Sequence, residues 1–223
     1  MQIKKQGSTQ KVVGKIDGQP IYAPQLGRTN GEWQNGYGTP SDGQDTNNKN
    51  QPVRKLTKDA KQLIIYFSRS GSTELLAGMI EEKTSADILE VVVKNPYPGV
   101  YQKTLERANL ERENNNYPEL NMQLPDLSQY DTIFLGYQIW AMHLSHPMNS
   151  FLTTFGQLLS GKRIAPFMSE GGYGQGDSVQ QIQEILREQG ASQNTFTQAL
   201  VVDGNKVDRS KLQVTQWIAK INK

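Results

Sequence analysis

A loop rich in hydroxyl side chains, Ser68-Arg69-Ser70-Gly71-Ser72-Thr73, lies between a predicted strand and a predicted helix. The hydroxyls donate hydrogen bonds, and the glycine permits close approach to the backbone. The start of the helix adds unpaired N–H groups and the positive end of its dipole. The same residue types also cap helices without any ligand. The position of the loop at a strand end favours a site for an anionic group such as a phosphate.

Several nucleotide-binding and catalytic classes do not fit this loop. It lacks the Gly-Lys-Ser/Thr ending of a Walker A sequence, and its single glycine is no dinucleotide fingerprint. A phosphoacceptor receiver domain needs acidic residues after the first strand, where this chain has Ser68-Arg69. A serine hydrolase needs a G-x-S-x-G nucleophile elbow, which is absent at the strand ends.

The elements that position the loop alternate between apolar runs and amphipathic segments from Lys61 onward. The predicted strands are Leu63–Phe67, Ile88–Val93, Thr132–Tyr137, Arg163–Met168 and Thr195–Val202. Helices are predicted at Thr73–Thr84, from Ser178 to a stop at Gly190, and from about Asp208 to Ile221. Continuous apolar runs are typical of strands buried on both faces of a parallel sheet. The pattern predicts a three-layer, doubly wound α/β domain that binds ligands beyond the carboxyl ends of its strands.

Two histidines follow the third predicted strand. His143 and His146 are three positions apart and could share a metal on a helix face. The sequence shows no third ligand, so we interpret them as a loop histidine and a helix-start histidine beside Pro147. No metal site is predicted.

Motifs spread from about Gln62 to Ile221 together resemble the flavodoxin family. Ser68, Ser70, Gly71 and Thr73 match its first-loop pattern Ser/Thr-x-Ser/Thr-Gly-x-Thr. The later motifs are YDTIFLGYQIW at Tyr130–Trp140 and PFMSEGGYGQGDSV at Pro166–Val179. The resemblance implies a five-stranded parallel sheet of order 2-1-3-4-5 and flavin mononucleotide (FMN) as cofactor.

The resemblance also implies which residues hold FMN. The first loop is implied to hold the phosphate through Ser68, Arg69, Ser70, Gly71, Ser72 and Thr73. Two later loops are implied to hold the isoalloxazine ring. The second loop contributes Gln138, Ile139, Trp140, Ala141 and Met142, and the third contributes Ser169, Gly171, Gly172 and Tyr173. In the family an aromatic side chain packs on the ring, and Trp140 is the first candidate for this role, with Tyr173 the second.

The implied function is an FMN-binding redox protein that carries electrons or reduces a small acceptor. Its partner is then a redox protein or a small-molecule electron acceptor, and the sequence does not choose between carrier and reductase. A related bacterial branch often reads YPIWWG where this chain reads YQIWAM. The departures at Gln138 and Ala141 motivate an alternative, a non-catalytic binding module that has weakened or lost its flavin site.

The composition of the chain excludes several other classes of function. The chain has no cysteine, which excludes disulfides, thiolate catalysis and iron–sulfur sites. The net charge is only +2 and no basic stripe interleaves with aromatics, so nucleic acid is a poor partner. The longest apolar stretch, near Thr132–Leu144, is too short for a membrane span. No apolar signal segment is visible, so we expect a cytoplasmic protein, or an exported one if a signal was removed before Met1.

Residues 1–60 differ from the rest of the chain. Only 14 of them are hydrophobic, which is well below the 35% of the whole sequence, and residues 27–51 have the composition of a linker. Asp17-Gly18 within Lys11–Tyr22 is a hairpin signal, but a disordered tail is favoured. We therefore expect an irregular extension over 1–60, dispensable for folding, and a flavodoxin-like FMN-binding domain over 61–223.

Overall fold

Alternating strands and helices follow a short N-terminal hairpin. The computed structural model describes residues 11–46 and 51–222. The strands are β1 (Val12–Ile16), β2 (Gln19–Tyr22), β3 (Val53–Lys55), β4 (Gln62–Tyr66), β5 (Asp87–Glu90), β6 (Thr132–Trp140), β7 (His143–Leu144), β8 (Arg163–Glu170), β9 (Thr195–Phe196) and β10 (Leu200–Asp203). The α-helices are α1 (Asn30–Trp33), α2 (Ser72–Thr84), α3 (Tyr101–Glu113), α4 (His146–Phe155), α5 (Ser178–Glu188) and α6 (Lys211–Ile221). Among the described helices, none has the length and apolar character needed to cross a membrane.

The central sheet carries five parallel strands in the spatial order β5, β4, β6, β8, β10. Numbered along the predicted strands, this order is 2-1-3-4-5, and helices cover both faces, so the α/β fold class is confirmed. The predicted count of five is too low for the described sheet. Strand β3 adds an antiparallel edge beside β5, β7 pairs with β6, and β9 pairs with β8. Strands β3 and β7 have three and two residues, which is too short to give a periodic signal, whereas β9 is the start of the predicted strand Thr195–Val202, which the structure divides into β9 and β10.

Alternate side chains of the central strands enter two separate apolar cores. Leu63 and Ile65 of β4 belong to one core with α4 and α5, whereas Ile64 and Tyr66 belong to the other with α2 and α6. This is the period of two of a pleated strand. Because both faces are covered, the strands are apolar throughout, and they were visible in the sequence for that reason.

Parallel pairing aligns the carboxyl ends of three strands. Tyr66 of β4 pairs with Gly136 of β6, and Gly136 pairs in turn with Phe167 of β8. The loops that follow these strands therefore open at one edge of the sheet, where doubly wound folds bind ligands.

The hairpin β1–β2 packs on α2 and is part of the second core. Its turn is Asp17-Gly18, and Ile16 and Ile21 are fully buried in that core. The structure therefore differs from the expected unpacked tail. Two inward-facing isoleucines are too few to raise the apolar content of a 60-residue segment, and their docking surface is supplied by α2.

Segment 23–46 runs from the hairpin over the carboxyl edge of the sheet. Helix α1 begins with a capping box in which Thr29 and Glu32 satisfy each other's backbone amides. Further along, the amide of Asp42 donates to the carbonyl of Arg69 at 3.0 Å. Residues 47–50 of the predicted linker lie outside the described residues. The division of the chain into two domains at residue 61 stays a prediction.

Strand β3 brings a buried cation to the edge of the sheet. Arg54 contacts Glu74 at 2.6 Å and Glu90 at 3.1 Å, and it donates to the Tyr66 hydroxyl at 2.6 Å. Two carboxylates thus share one guanidinium in a buried position. Burial, and then the neighbouring charge of Glu74, raise the pKa of Glu90 to about 8 despite Arg54. The cluster therefore retains a proton at neutral pH.

Docking of the hairpin is tested by Ile21→Ala. Removing a fully buried side chain from a packed core should lower the free energy of unfolding by about 2–5 kcal/mol. Val12→Ala in the same hairpin is the matched control, because Val12 is 45% exposed and should change stability by less than about 0.5 kcal/mol. Urea unfolding measures both. Equal, small effects would mean that the hairpin is not docked.

The buried carboxyl cluster predicts a pH dependence of stability. Between the ordinary pKa of Glu90, 4.5, and its raised value of about 8, the folded state binds more protons than the unfolded chain. Stability should therefore fall as pH rises through this window, by up to about 1.4 kcal/mol per pH unit for one proton. Glu90→Gln should flatten the slope, whereas the exposed Glu119→Gln should leave it unchanged. Urea unfolding at pH 5.5, 6.5 and 7.5 measures the slope, and equal slopes in all three proteins would contradict the assignment.

Candidate functional site

A cavity of about 450 Å³ opens at the carboxyl ends of β4, β6 and β8. Its volume lies in the usual range for small-molecule sites. The predicted site residues that line it are Arg69, Ser70, Gln138, Ile139, Trp140, Ala141, Met142, Ser169, Gly171 and Tyr173. The predicted residues that do not line it are Ser68, Gly71, Ser72, Thr73 and Gly172. All three predicted loops are thus represented in one cavity.

The first loop collects polar groups that lack partners. Within the described residues, the backbone amides of 69–73 form no hydrogen bond, as expected ahead of a helix. The Ser68 hydroxyl is buried and also has no partner there. These donors lie at or just before the start of α2, where its dipole adds positive potential. Such a set of groups is suited to an anion.

The extension passes directly over this loop. A Cβ atom at Gly71, whose φ is +79°, would lie 1.6 Å from the carbonyl oxygen of Tyr22. Any larger residue would push the hairpin away, so Gly71 is needed for the extension to dock and for its own left-handed backbone. The sequence had instead suggested that glycine at this position lets a ligand approach the backbone closely.

The second loop is a continuation of a strand. Strand β6 extends to Trp140 and turns through Ala141 and Met142 into β7. Both turn residues have positive φ, 50° and 70°, as a two-residue hairpin of type I′ requires. The expected loop after Tyr137 is therefore replaced by a tight hairpin. Gln138 donates its Nε2 to the Phe67 carbonyl at 3.0 Å, which leaves its buried Oε1 without a partner among the described residues.

Trp140 forms part of the cavity wall and is held from behind by aromatic rings. Its ring lies 5.2 Å from Tyr97, 5.4 Å from His146 and 6.2 Å from Phe67, in edge-to-face arrangements. These contacts fix the indole without covering it completely. Trp140 is thus both a packed residue and a candidate ligand contact.

Both histidines have carboxylate partners. His143 Nδ1 lies 2.8 Å from Asp177, and His146 Nδ1 lies 2.8 Å from Glu111. Burial opposes ionisation of Glu111, but hydrogen bonds from His146, Tyr97 and Arg107 lower its pKa. His146 begins α4 as predicted. No group of three metal-ligating side chains occurs in residues 11–46 and 51–222.

The third loop contacts the first loop and the extension. The Ser169 and Thr73 hydroxyls lie 2.8 Å apart, which ties the end of β8 to the first turn of α2. Asn35 of the extension donates to the carbonyl of Gly171 at 2.5 Å. Tyr173 is 70% exposed at the rim. Gly171 and Gly172, which the family resemblance assigns to the ring site, both lie against Asn35 of the extension.

Sequence reasoning missed two groups of cavity residues, besides Glu170 and Gly204. One group comes from the extension, Gln25, Trp33, Asn35, Gly36 and Thr39, and the other from α3, Tyr101, Thr104, Leu105, Ala108, Asn109 and Arg112. Arg69 donates to the Thr39 carbonyl through both terminal nitrogens. A tryptophan within a polar segment was the available signal, since Trp33 is only 3% exposed. The extension therefore supplies part of the site.

Residues 61–221 match the family model described as Flavodoxin. None of the curated proteins compared with the chain matches it significantly. The chain is similar to the structure of a protein assigned as a flavoprotein from Bacteroides uniformis, with 24% identity and a TM-score of 0.58, over 73% of this chain and 99% of that one. A flavoprotein from Lactobacillus acidophilus in complex with FMN is 23% identical, with a TM-score of 0.53, over 67% and 97%. At these identities the likeness shows the fold. The extension precedes the residues that the family model matches.

Proposed function

The chain belongs to the flavodoxin family, and we propose that it binds FMN in this cavity and passes electrons through it. The observation that carries the proposal is the set of unpartnered donors at the start of α2, beside a cavity walled by Trp140. Bound flavin supplies the capacity to accept and donate electrons, which these side chains lack. The partner is a redox protein or a small-molecule acceptor.

The residues present fit the two ends of such a cofactor. The amides of 69–73 and the hydroxyls of Ser68 and Ser70 would hold the phosphate, since an anion accepts hydrogen bonds from all of them. The free Oε1 of Gln138 would accept from an N–H of the ring system. Trp140 would pack against the ring and exclude water from it.

A binding module without flavin remains the second candidate, and one observation favours it. Gln25 of the extension already donates to Ser70 and Ser72 in the first loop. Part of the hydrogen-bonding capacity of that loop is thus satisfied within the chain. Titration of the purified full chain with FMN separates the two functions, because only the first gives saturable quenching of flavin fluorescence.

Ser68→Ala tests the phosphate assignment through two measurements, the free energy of unfolding and the affinity for FMN, for which we expect different outcomes. The hydroxyl lacks a partner among the described residues, so its loss should leave the free energy of unfolding unchanged or slightly higher. FMN should bind more weakly by about 1.5–3 kcal/mol, the usual strength of a hydrogen bond to a charged group. Ser128→Ala is the control, because Ser128 is exposed and precedes β6 at the opposite edge of the sheet. Unchanged FMN affinity in Ser68→Ala would refute the assignment.

Trp140→Ala tests the ring assignment. An electron-rich indole beside the ring disfavours added negative charge on it, so the alanine variant should have a higher reduction potential than the parent. The fluorescence of bound flavin should also increase, because a stacked tryptophan quenches it. Trp140→Phe, which keeps an aromatic ring, should fall between the two. If Trp140→Ala keeps both the potential and the quenching of the parent, Trp140 only packs against Tyr97 and His146.

A further inference from the structure

Gln25 reaches from the extension into the first loop. Its Nε2 lies 2.8 Å from the Ser70 hydroxyl and 2.6 Å from the Ser72 hydroxyl. Its Oε1 accepts from the indole nitrogen of Trp33 at 2.8 Å. Gln25 and Trp33 are 6% and 3% exposed, so this contact is a buried one.

The direction of every hydrogen bond in this set follows from the chemistry of the groups. An indole nitrogen only donates, so the Gln25 oxygen must accept, and the amide nitrogen must face the two serines. That nitrogen has two hydrogens and donates one to each hydroxyl oxygen. Ser70 and Ser72 are therefore both acceptors from Gln25.

The two serines differ in what their own hydrogens do. Ser72 donates its only hydroxyl hydrogen to the carbonyl of Gly204 at 2.9 Å. Ser70 has no acceptor among the described residues, and it lines the cavity. Of these two serines, Ser70 therefore keeps its hydroxyl hydrogen for a ligand, whereas the hydrogen of Ser72 is used inside the protein.

The place of Gln25 is built into the surrounding backbone. A Cβ atom at Gly204 would lie 2.9 Å from Gln25 Nε2 and 3.0 Å from its Oε1. Only glycine at this position leaves room for the amide, so the contact is a feature of the packed structure and not of a mobile surface side chain.

We propose that Gln25, oriented by Trp33, is a positioning residue that makes Ser70 a hydrogen-bond donor to the phosphate group of the flavin. This inference rests on the proposed function and adds a selectivity to it. FMN carries a phosphate that accepts this hydrogen bond, whereas riboflavin ends in a hydroxyl without charge. The extension thus confers preference for the phosphorylated flavin, although it precedes the part of the chain that matches the family.

Gln25→Glu removes the amide hydrogens that Gln25 donates to Ser70 and Ser72, with little change in the size of the side chain. A carboxylate has no hydrogens, so it draws the Ser70 hydrogen toward itself and adds negative charge beside the phosphate. Affinity of the full chain for FMN should fall by about ten- to a hundredfold, while affinity for riboflavin should change by less than about threefold. Gln34→Glu is the matched control, because it adds the same charge to an exposed position of the same extension. This control variant should leave the ratio of FMN affinity to riboflavin affinity at the wild-type value.

Trp33→Phe provides a second variant that keeps the ring and removes only the donor. The Gln25 amide is then free to rotate. As in Gln25→Glu, the ratio of FMN affinity to riboflavin affinity should fall, here by about two- to tenfold. Both dissociation constants are measured by flavin fluorescence quenching. If the wild type binds neither flavin, the proposed function fails, and this inference fails with it. If the wild type binds FMN and the ratio is unchanged in both variants, or both affinities fall equally, Gln25 is structural and the inference alone is overturned.

Discussion

Polar groups at the amino end of α2 cannot be satisfied by the loop that contains them, and much of the carboxyl edge of the sheet is arranged around that constraint. A buried donor without an acceptor costs free energy comparable to a lost hydrogen bond. The chain meets part of this demand itself, through Gln25 on Ser70 and Ser72 and through the Gly204 carbonyl. The Ser68 hydroxyl and the amides of 69–73 stay unmet within the described residues. The groups that weaken the unliganded fold are thus the ones that a phosphate would stabilise.

The same helix anchors the extension at separate points. Ile16 and Ile21 pack on α2 from the hairpin, and Arg54 of β3 pairs with Glu74 in its first turn. Removing one partner of a buried ion pair leaves an uncompensated charge, so this pair holds β3 against α2. The segment between these anchors is the one that carries Gln25 to the loop. Stability of the extension and shape of the site therefore depend on the same helix.

The sequence predicted the parts of the protein whose signals are local. The parallel strands were predicted because they are apolar throughout, and the first loop because its hydroxyl residues follow a strand and precede a helix. The contribution of the extension was not predicted, because it depends on contacts between residues far apart in the chain, such as Gln25 with Ser72. The continuation of β6 to Trp140 was also missed, since Ala141 and Met142 are not the usual residues of a type I′ turn. Composition describes a segment alone, and it cannot report a docking surface that another element supplies.

Tethering at both ends defines how the covering segment can move. Because the hairpin and β3 are each anchored on α2, a local opening of segment 23–46 would break only its own contacts, among them those of Gln25 and Asn35, and would leave Ile21 and Arg54 docked. A ligand at concentration c that binds only the closed arrangement stabilises it by RT ln(1 + c/Kd), so the stabilisation grows with the logarithm of ligand concentration. By the same linkage, the apparent affinity is reduced by the fraction of molecules in which the segment is open. Under the proposed function, contacts that hold Trp33 and Gln25 in place would therefore contribute to flavin affinity even where they touch no part of the flavin.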